Sequence, residues 1–271
     1  MEKQNSTMVK KETDNSLKGI STGHKQLDEI TRGLQAGNLI FLAARPGMGK
    51  TSFAINLVEH VSLNEGKTCA VFSLEMPRKY AAQRLMCSYA NVNPQKALSG
   101  KLGSEEWKRL MIAKEKLANS NIYIDDSSRI TPAEILSKCR QLKQEAGGLD
   151  LVIIDYLQLM HSEKRDPQKY EREYVCITTD LKIMAKELEV PVMVLVQLKG
   201  RNFQSKEPNL FEIRDLGAVE EDADTIIFLH RPDAVTVPKI ELIIPMNRCG
   251  ELGSVQLEFN EEYMKFVDED K

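Results

Sequence analysis

A glycine-rich segment that ends in lysine and threonine is the part of the sequence best suited to chemistry. Residues 43–51 read AARPGMGKT, and the sequence pattern of a phosphate-binding loop is G-x-x-x-x-G-K-[ST]. Gly49, Lys50 and Thr51 match this pattern, whereas Ala44 stands at the position of its first glycine. The segment therefore predicts a nucleotide site, and a glycine-rich turn with a solvated lysine is the alternative.

The place of this loop, between an apolar run and a helical stretch at 52–62, gives its residues their roles. The free N–H groups and the dipole at the start of a helix attract phosphate. Gly47 and Gly49 would permit close approach of the backbone. Lys50 would reach the β and γ phosphates, and Thr51 would ligate Mg²⁺. The predicted nucleotide contacts are Arg45, Pro46, Gly47, Met48, Gly49, Lys50, Thr51 and Ser52.

A carboxylate that completes such a site stands at the end of another apolar run. Residues 151–155 read LVIID and end in Asp155. In P-loop NTPases a carboxylate at this place helps to hold Mg²⁺. Asp150 is a rival at the start of the same run, but that is the wrong end of the strand, so Asp155 is the stronger candidate.

Two further polar residues, Glu75 and Gln197, follow apolar runs at 68–73 and 191–197. Active sites of open α/β sheets lie at the carboxyl ends of the strands. Glu75 is then placed to act as a base toward water, with a helix-capping glutamate ahead of Pro77 as an equal alternative. Gln197 is placed to sense the γ phosphate, with an ordinary loop glutamine as the alternative.

These side chains need a sheet to position them, and short apolar runs alternate with helical stretches along the chain. Runs of this kind, rich in β-branched residues, suit strands that are covered on both faces. Strands are predicted at 38–44, 68–73, 149–155, 191–197 and 225–230. The order then changes, and three successive strands are predicted at 239–247, 252–260 and 263–267.

Helix signals lie between the strands. One helix is predicted to begin at Ser104, and another at Thr131, where Pro132 and Glu134 complete a capping box. A long amphipathic helix is predicted at 170–189. The predicted fold class is therefore α/β, with a mainly parallel central sheet, helices on both faces and an antiparallel C-terminal edge. Residues 1–19 are predicted to form a flexible arm or linker remnant, and 20–271 a single domain.

Composition excludes several classes of protein. Of 271 residues, 42% are hydrophobic and 28% are charged, which is ordinary for a globular chain, so disorder throughout is excluded. A net charge of −3 leaves no general basic coat, so nucleic acid would have to bind a local patch. Five separated cysteines without a C-x-x-C pair argue against a disulfide framework or a zinc site. We expect a cytoplasmic protein without a membrane segment.

Six segments together resemble the motor domain of DnaB-type bacterial replicative helicases, over about residues 20–268. The resemblance accounts for Ala44, because the loop of this family tolerates alanine there. It implies a RecA-like core and a homo-oligomer, a ring hexamer, that binds ATP between subunits and moves along single-stranded DNA. The segments that carry it are 21–23, 44–51, 72–76, 122–126, 154–159 and 221–224.

The resemblance also implies roles for the residues found above. Lys50 and Thr51 would bind ATP and Mg²⁺. Glu75 would be the catalytic base, Asp155 the acid that holds the metal, and Gln197 the γ-phosphate sensor.

DNA contacts are implied for the segment that follows the sensor strand. From residue 199 to 214 it carries four basic and two acidic side chains. Contacts with phosphates give little sequence specificity and weaken with salt. A solvated surface loop is the alternative. The residues implied to contact DNA are Lys199, Arg201, Arg214, Asp215 and Gly217.

Arg248 is implied to be an arginine finger that reaches into the ATP site of the neighbouring subunit. The family usually carries Lys-x-Arg on this strand, and Met246 stands at the lysine position. Pro245 removes a backbone donor, so an unpaired or bent edge is predicted there. Arg231 is implied to contact nucleotide, with a surface loop as the alternative. The departures at Met246 and Pro245 concern the rate of hydrolysis and the coupling between subunits. They leave the prediction of nucleotide binding unchanged.

Expected partners also follow from the resemblance. Full-length members carry a helical N-terminal domain that docks primase, whereas about 20 residues precede the motor here. Besides single-stranded DNA, primase and a helicase loader are therefore candidates. Two alternative functions stay open: a recombinase-like or repair ATPase on the same core, and an ATP- and DNA-binding regulator of a full-length helicase with weak hydrolysis.

Overall fold

The computed structural model of the chain describes residues 18–162, 170–199, 207–214, 216, 219–232 and 239–269. The predicted arm at 1–19 lies outside these ranges except for its last two residues. No helix in the described ranges combines the length and the apolar character needed to cross a bilayer.

A single nine-stranded sheet organises this part of the chain, in the order β3-β2-β4-β5-β1-β6-β7-β8-β9. The strands from β3 to β6 in that order run parallel, and β7, β8 and β9 continue the sheet antiparallel. The predicted fold class is confirmed. The strands are β1 Leu39–Ala44, β2 Cys69–Ser73, β3 Ile122–Asp125, β4 Leu151–Asp155, β5 Val192–Gln197, β6 Thr225–His230, β7 Lys239–Asn247, β8 Gly253–Asn260 and β9 Lys265–Asp268.

Helices cover both faces of the sheet. A π-helical turn, Glu59–Asn64, continues α2, and a 3₁₀ turn, Leu157–Leu159, follows β4. The helix that begins at Pro132 has the predicted capping box, since Thr131 and Glu134 each accept a backbone N–H of the other. The helices are α1 Lys25–Thr31, α2 Lys50–Val58, α3 Arg78–Ala90, α4 Pro94–Leu98, α5 Ser104–Ala118, α6 Pro132–Glu145, α7 Tyr170–Leu188, α8 Phe211–Arg214 and α9 Val219–Asp222.

Strand β1 shows why the central strands are apolar throughout. Leu39, Phe41 and Ala43 pack into the core under α6 and α7, whereas Ile40 and Leu42 pack into the core under α2. Alternate side chains of a strand point to opposite faces, so a strand between two layers needs apolar residues at every position. All six residues of β1 are buried.

The register of the sheet sets the place of the site. Ala44 at the end of β1 lies opposite Gln197 at the end of β5, and Ser73 at the end of β2 lies opposite Asp155 at the end of β4. All four strands are parallel, so their carboxyl ends form one edge, which we call the carboxyl edge. The loops that follow these strands converge there.

The opposite edge of the sheet is fixed by an ion pair. Lys182 of α7 contacts the carboxylate of Asp224 and donates to the carbonyl oxygen of Gly37 at 3.0 Å. Asp224 also accepts the backbone N–H of Leu39 at 2.7 Å, and both charged side chains are mostly buried. The network therefore joins α7 to the first residue of β1 and to the segment before β6.

Strand β7 departs from regular pairing where the sequence places proline. The β6–β7 register shifts between Ile226 and Phe228, and the pairing of β7 with β8 ends at Ile244. Pro245 follows directly, so β8 requires no N–H from it. The prediction of a bent or unpaired edge at Pro245 is confirmed.

Two strands differ clearly from the sequence predictions. Strand β3 at the sheet edge was not predicted, because its four residues are half-buried or exposed and give no apolar run. The last strand begins at Lys265 rather than at 263, because a turn occupies 261–264 and Met264 has a left-handed φ of 56°.

Candidate functional site

The phosphate-binding loop depends on two glycines in left-handed conformation. Gly47 has φ of 78° and Gly49 has φ of 93°, a region that L side chains rarely adopt. A Cβ atom on Gly49 would lie 3.0 Å from the Cζ atom of Phe266. Helix α2 begins at the next residue, Lys50, so its first N–H groups point into the loop, as phosphate binding requires.

Lys50, Thr51 and Asp155 meet at the carboxyl edge. The Nζ atom of Lys50 lies 3.2 Å from Asp155 Oδ1, and the hydroxyl of Thr51 donates to Asp155 Oδ2 at 2.8 Å. Lys50 and Asp155 are buried, and the Lys50 ammonium lies 4.7 Å from the centre of the Tyr156 ring. The cation offsets the charge of the buried carboxylate, which would otherwise be costly to bury.

The same residues fit a magnesium ion. Mg²⁺ takes oxygen ligands, and it is commonly held by one or two carboxylates together with phosphates and water. Thr51 and Asp155 supply a hydroxyl and a carboxylate within hydrogen-bond distance of each other. The rival Asp150 lies at the other end of β4, where its carboxylate accepts the N–H of Thr68 at 2.8 Å. Asp150 therefore does not belong to this site.

Glu75 is exposed two residues beyond the end of β2. The N–H of Leu74 donates to the carbonyl of Asp155 at 2.8 Å, which ties this segment to the end of β4. Burial raises the pKa of Tyr156, and the charges of Glu75 and Asp155 raise it further. Asp126, rather than Glu75, accepts the N–H of Arg78 at the start of α3. The contact made by Asp126 favours a base over the capping alternative.

Gln197 ends β5 and is held by a residue that the sequence predictions missed. Gln158 donates its side-chain amide to the carbonyl of Gln197 at 2.7 Å, and its Oε1 accepts the Gln197 N–H at 3.3 Å. The side chain of Gln197 is half-buried. Gln158 stands in the segment 154–159 that carries the resemblance, which was the available signal.

Two arginines at the carboxyl edge form ion pairs with acidic residues. One guanidinium nitrogen of Arg45 lies 3.0 and 3.2 Å from the two carboxylate oxygens of Glu212 in α8. Arg231 donates to Glu261 at 2.8 Å and is mostly buried. Nothing in the spacing of the sequence indicated Glu212 or Glu261.

Arg248 lies at the edge opposite the carboxyl edge, beside the amino-terminal ends of the parallel strands. Its N–H donates to the carbonyl of Asp224, and its guanidinium donates to the carbonyl of Glu221 at 2.6 Å. The N–H of Asp224 in turn donates to Leu39 at the start of β1, whereas the phosphate-binding loop follows the end of β1. Six strand residues span about 17 Å. Arg248 is therefore not part of the nucleotide site of its own chain.

Met246, where the family usually has lysine, is half-buried and packs against the core under α6 and α7. It contributes apolar packing at a position where the resemblance leads us to expect a cation.

The predicted DNA segment is described in part. Lys199 is exposed two residues beyond Gln197. The Nε atom of Arg214 lies 3.1 and 3.2 Å from the Glu220 carboxylate oxygens, and its guanidinium stacks 4.4 Å from the centre of the Phe211 ring. The predicted contacts Arg201, Asp215 and Gly217 lie outside the described residues.

Comparisons with known proteins agree on one family. A family model described as the DnaB-like helicase C-terminal domain matches residues 19–268. The chain is 42% identical over 261 residues to the replicative DNA helicase DnaB of Geobacillus stearothermophilus, covering 94% of the chain. It is 43% identical over 258 residues to the replicative DNA helicase DnaC of Bacillus subtilis, covering 93% of the chain. In both cases it spans 57% of the length of the relative.

Solved structures show the same fold. The chain is similar to a structure described as an ATPase domain, with a TM-score of 0.89 and 35% identity, over 95% of this chain and 94% of that one. It is similar to a DnaB-like replicative helicase, described with its interactions with primase, with a TM-score of 0.87 and 36% identity. That match covers 95% of this chain and 64% of the other.

Proposed function

We propose that this chain, which belongs to the family of DnaB-like helicase C-terminal domains, is a motor that hydrolyses ATP and moves along single-stranded DNA in replication. The observation that carries the proposal is the buried contact of Lys50 and Thr51 with Asp155 at the carboxyl edge. Gly47 and Gly49 of the phosphate-binding loop and the start of α2 lie beside this contact, and they suit a nucleoside triphosphate.

The residues of the site divide the chemistry among themselves. Lys50 and the N–H groups at the start of α2 bind the β and γ phosphates. Thr51 and Asp155 would hold Mg²⁺, which neutralises charge on the phosphates when bound. Glu75 accepts a proton from the attacking water. Gln197, held through its backbone by Gln158, senses the γ phosphate.

The reaction also requires a second copy of the chain. A cation that stabilises the charge developing on the transferred group must lie close to it. Because Arg248 lies at the edge opposite its own phosphate-binding loop, it would serve the site of a neighbouring copy. Repetition of this contact gives the proposed ring hexamer.

DNA would bind to the segment after Gln197. Lys199 and Arg214 are exposed there, and Arg201 lies between them in the sequence. Such side chains contact phosphates, so we expect little preference for sequence and weaker binding at higher salt. Arg231 would contact nucleotide from the end of β6. Primase and a helicase loader are the proposed protein partners, and the cytoplasm is the proposed location.

The test is the rate of ATP hydrolysis with and without single-stranded DNA. We expect DNA to stimulate the wild-type chain, and Lys50→Ala to abolish activity because phosphate binding and charge stabilisation are both lost. Lys186→Ala, which changes an exposed lysine of α7, is the control for loss of a lysine and should behave as wild type. Absence of stimulation in the wild type, or full activity in Lys50→Ala, would contradict the proposal.

Met246 favours a second candidate function, that of a regulator that binds ATP and DNA and hydrolyses slowly. The apolar packing of this side chain leaves no cation at that position of the strand. Tight binding of both ligands together with slow, weakly stimulated hydrolysis in the same assay would favour the regulator.

A further inference from the structure

The side chains of helix α8, Phe211–Arg214, lie in three environments: the core, the phosphate-binding loop and solvent. Ile213 is fully buried in the core under α6 and α7. Glu212 contacts Arg45, the residue of the phosphate-binding loop that directly follows β1. Phe211 and Arg214 are exposed, and they stack on each other. The helix therefore contacts the nucleotide site with one residue and presents two others to solvent in the proposed DNA segment.

The Arg45–Glu212 contact differs from an ordinary surface ion pair. One nitrogen of the guanidinium lies 3.0 and 3.2 Å from the two carboxylate oxygens, and the side chains are only 12% and 21% exposed. Shielding from water and salt strengthens the attraction between such charges. The two residues are 167 positions apart in the sequence, so the contact joins separate segments of the chain.

We propose that the Arg45–Glu212 ion pair couples the nucleotide site to DNA binding, with Glu212 as a positioning residue. This inference rests on the proposed function. Arg45 stands in the loop that receives phosphates, so bound nucleotide brings a second anion to the guanidinium. The phosphates compete with Glu212 for that cation. The strength of the ion pair between Arg45 and α8 therefore changes with the bound nucleotide. Phe211 and Arg214 move with α8, because they belong to the same helical turn.

The experiment measures six affinities of the full chain. The Kd of a labelled single-stranded oligonucleotide is measured with ADP and with a non-hydrolysable ATP analogue, and the ratio of the two values is the coupling factor. The Kd of the analogue with and without DNA, and that of ADP, must give the same factor, because coupling between two sites is reciprocal. We expect Glu212→Gln to lower the factor by about threefold or more, since couplings are typically 5–150-fold.

Glu212→Gln should tighten nucleotide binding in the absence of DNA, because the phosphates then no longer compete with the carboxylate for Arg45. Glu212→Asp keeps the charge and should retain part of the coupling. The matched control is Glu187→Gln, which removes an exposed Arg–Glu pair between α6 and α7 and should leave the factor unchanged.

The outcomes separate the two proposals. If Glu212→Gln weakens DNA binding equally in both nucleotide states, or changes neither, the residue is merely structural and the coupling is wrong. If the wild-type chain is not stimulated by DNA, the motor function fails. A wild-type factor of one would overturn the coupling even where hydrolysis is stimulated.

Discussion

Two glycines of the phosphate-binding loop share a left-handed backbone but differ in their surroundings. At Gly47 an added Cβ would meet nothing within 4 Å, whereas at Gly49 it would lie 3.0 Å from Phe266. Gly47→Ala should cost about 1 kcal/mol of stability, the penalty of the backbone alone. Gly49→Ala should cost about 2 kcal/mol or more, because the Phe266 ring must also shift.

Urea unfolding of the two variants measures this difference. Gly47→Ala is the control for Gly49→Ala, since both carry the same added methyl group in the same loop. Equal losses of stability would show that the Phe266 contact contributes nothing.

At the scale of residues, sequence patterns identified site residues that belong to a known motif or end an apolar run. They did not identify contacts between residues far apart in the sequence. Lys50 and Thr51 are adjacent and belong to a known pattern, and Asp155 ends a visible apolar run. Glu212 could not be found, because no pattern relates an isolated glutamate to an arginine that lies 167 positions away. The placement of Glu75 beside Tyr156 likewise required the sheet.

At the scale of elements, the mostly buried pair Lys182–Asp224 joins α7 to the start of β1. Lys182→Met should destabilise the fold by about 3 kcal/mol, because removal of one partner leaves the other charge buried and uncompensated. Lys186→Met alters an exposed lysine one turn further along α7 and should change stability by less than about 0.5 kcal/mol.

The free energy of unfolding in urea, compared between these two variants, checks the prediction. A loss in Lys182→Met no larger than that in Lys186→Met would show that the pair makes no net contribution.

Strands were predicted more accurately than helices for a physical reason. A strand buried on both faces, such as β1 or β5, is a continuous apolar run that is visible without its neighbours. Helix α3 buries mostly small residues, among them Ala81 and Ser88, with Leu85 as its buried large aliphatic residue, and therefore shows no continuous apolar stripe. Short elements such as β3 and α8 depend on contacts with distant segments.

At the scale of the whole molecule, the nucleotide site and Arg248 lie at opposite edges of one sheet. Lys50→Ala and Arg248→Ala should each be inactive alone. Mixed subunits should regain activity, because about a quarter of random head-to-tail interfaces combine an intact Lys50 with an intact Arg248.

The hydrolysis rate of mixed and separate variants checks this, after both have been incubated long enough for subunits to exchange. A mixture that is no more active than the sum of its parts would contradict a role for Arg248 in the neighbouring site.

The order of the strands is the part of the whole molecule that the sequence could not predict. Apolar runs identify β1 as a buried strand but do not place it between β5 and β6. For the same reason, Arg248 could be identified by resemblance, but its edge could not. That placement depends on the antiparallel return of β7 along β6.

The separation of Arg248 from its own nucleotide site also determines which arrangements of several copies complete every site. A contact that joins one edge of a copy to the other edge of the next has a direction, so two copies cannot satisfy each other symmetrically. Under the proposed role of Arg248, an open row of copies leaves a nucleotide site without an arginine at one end and an arginine without a site at the other. Closing the row completes one more site without adding a subunit, which favours a ring over a filament of the same length.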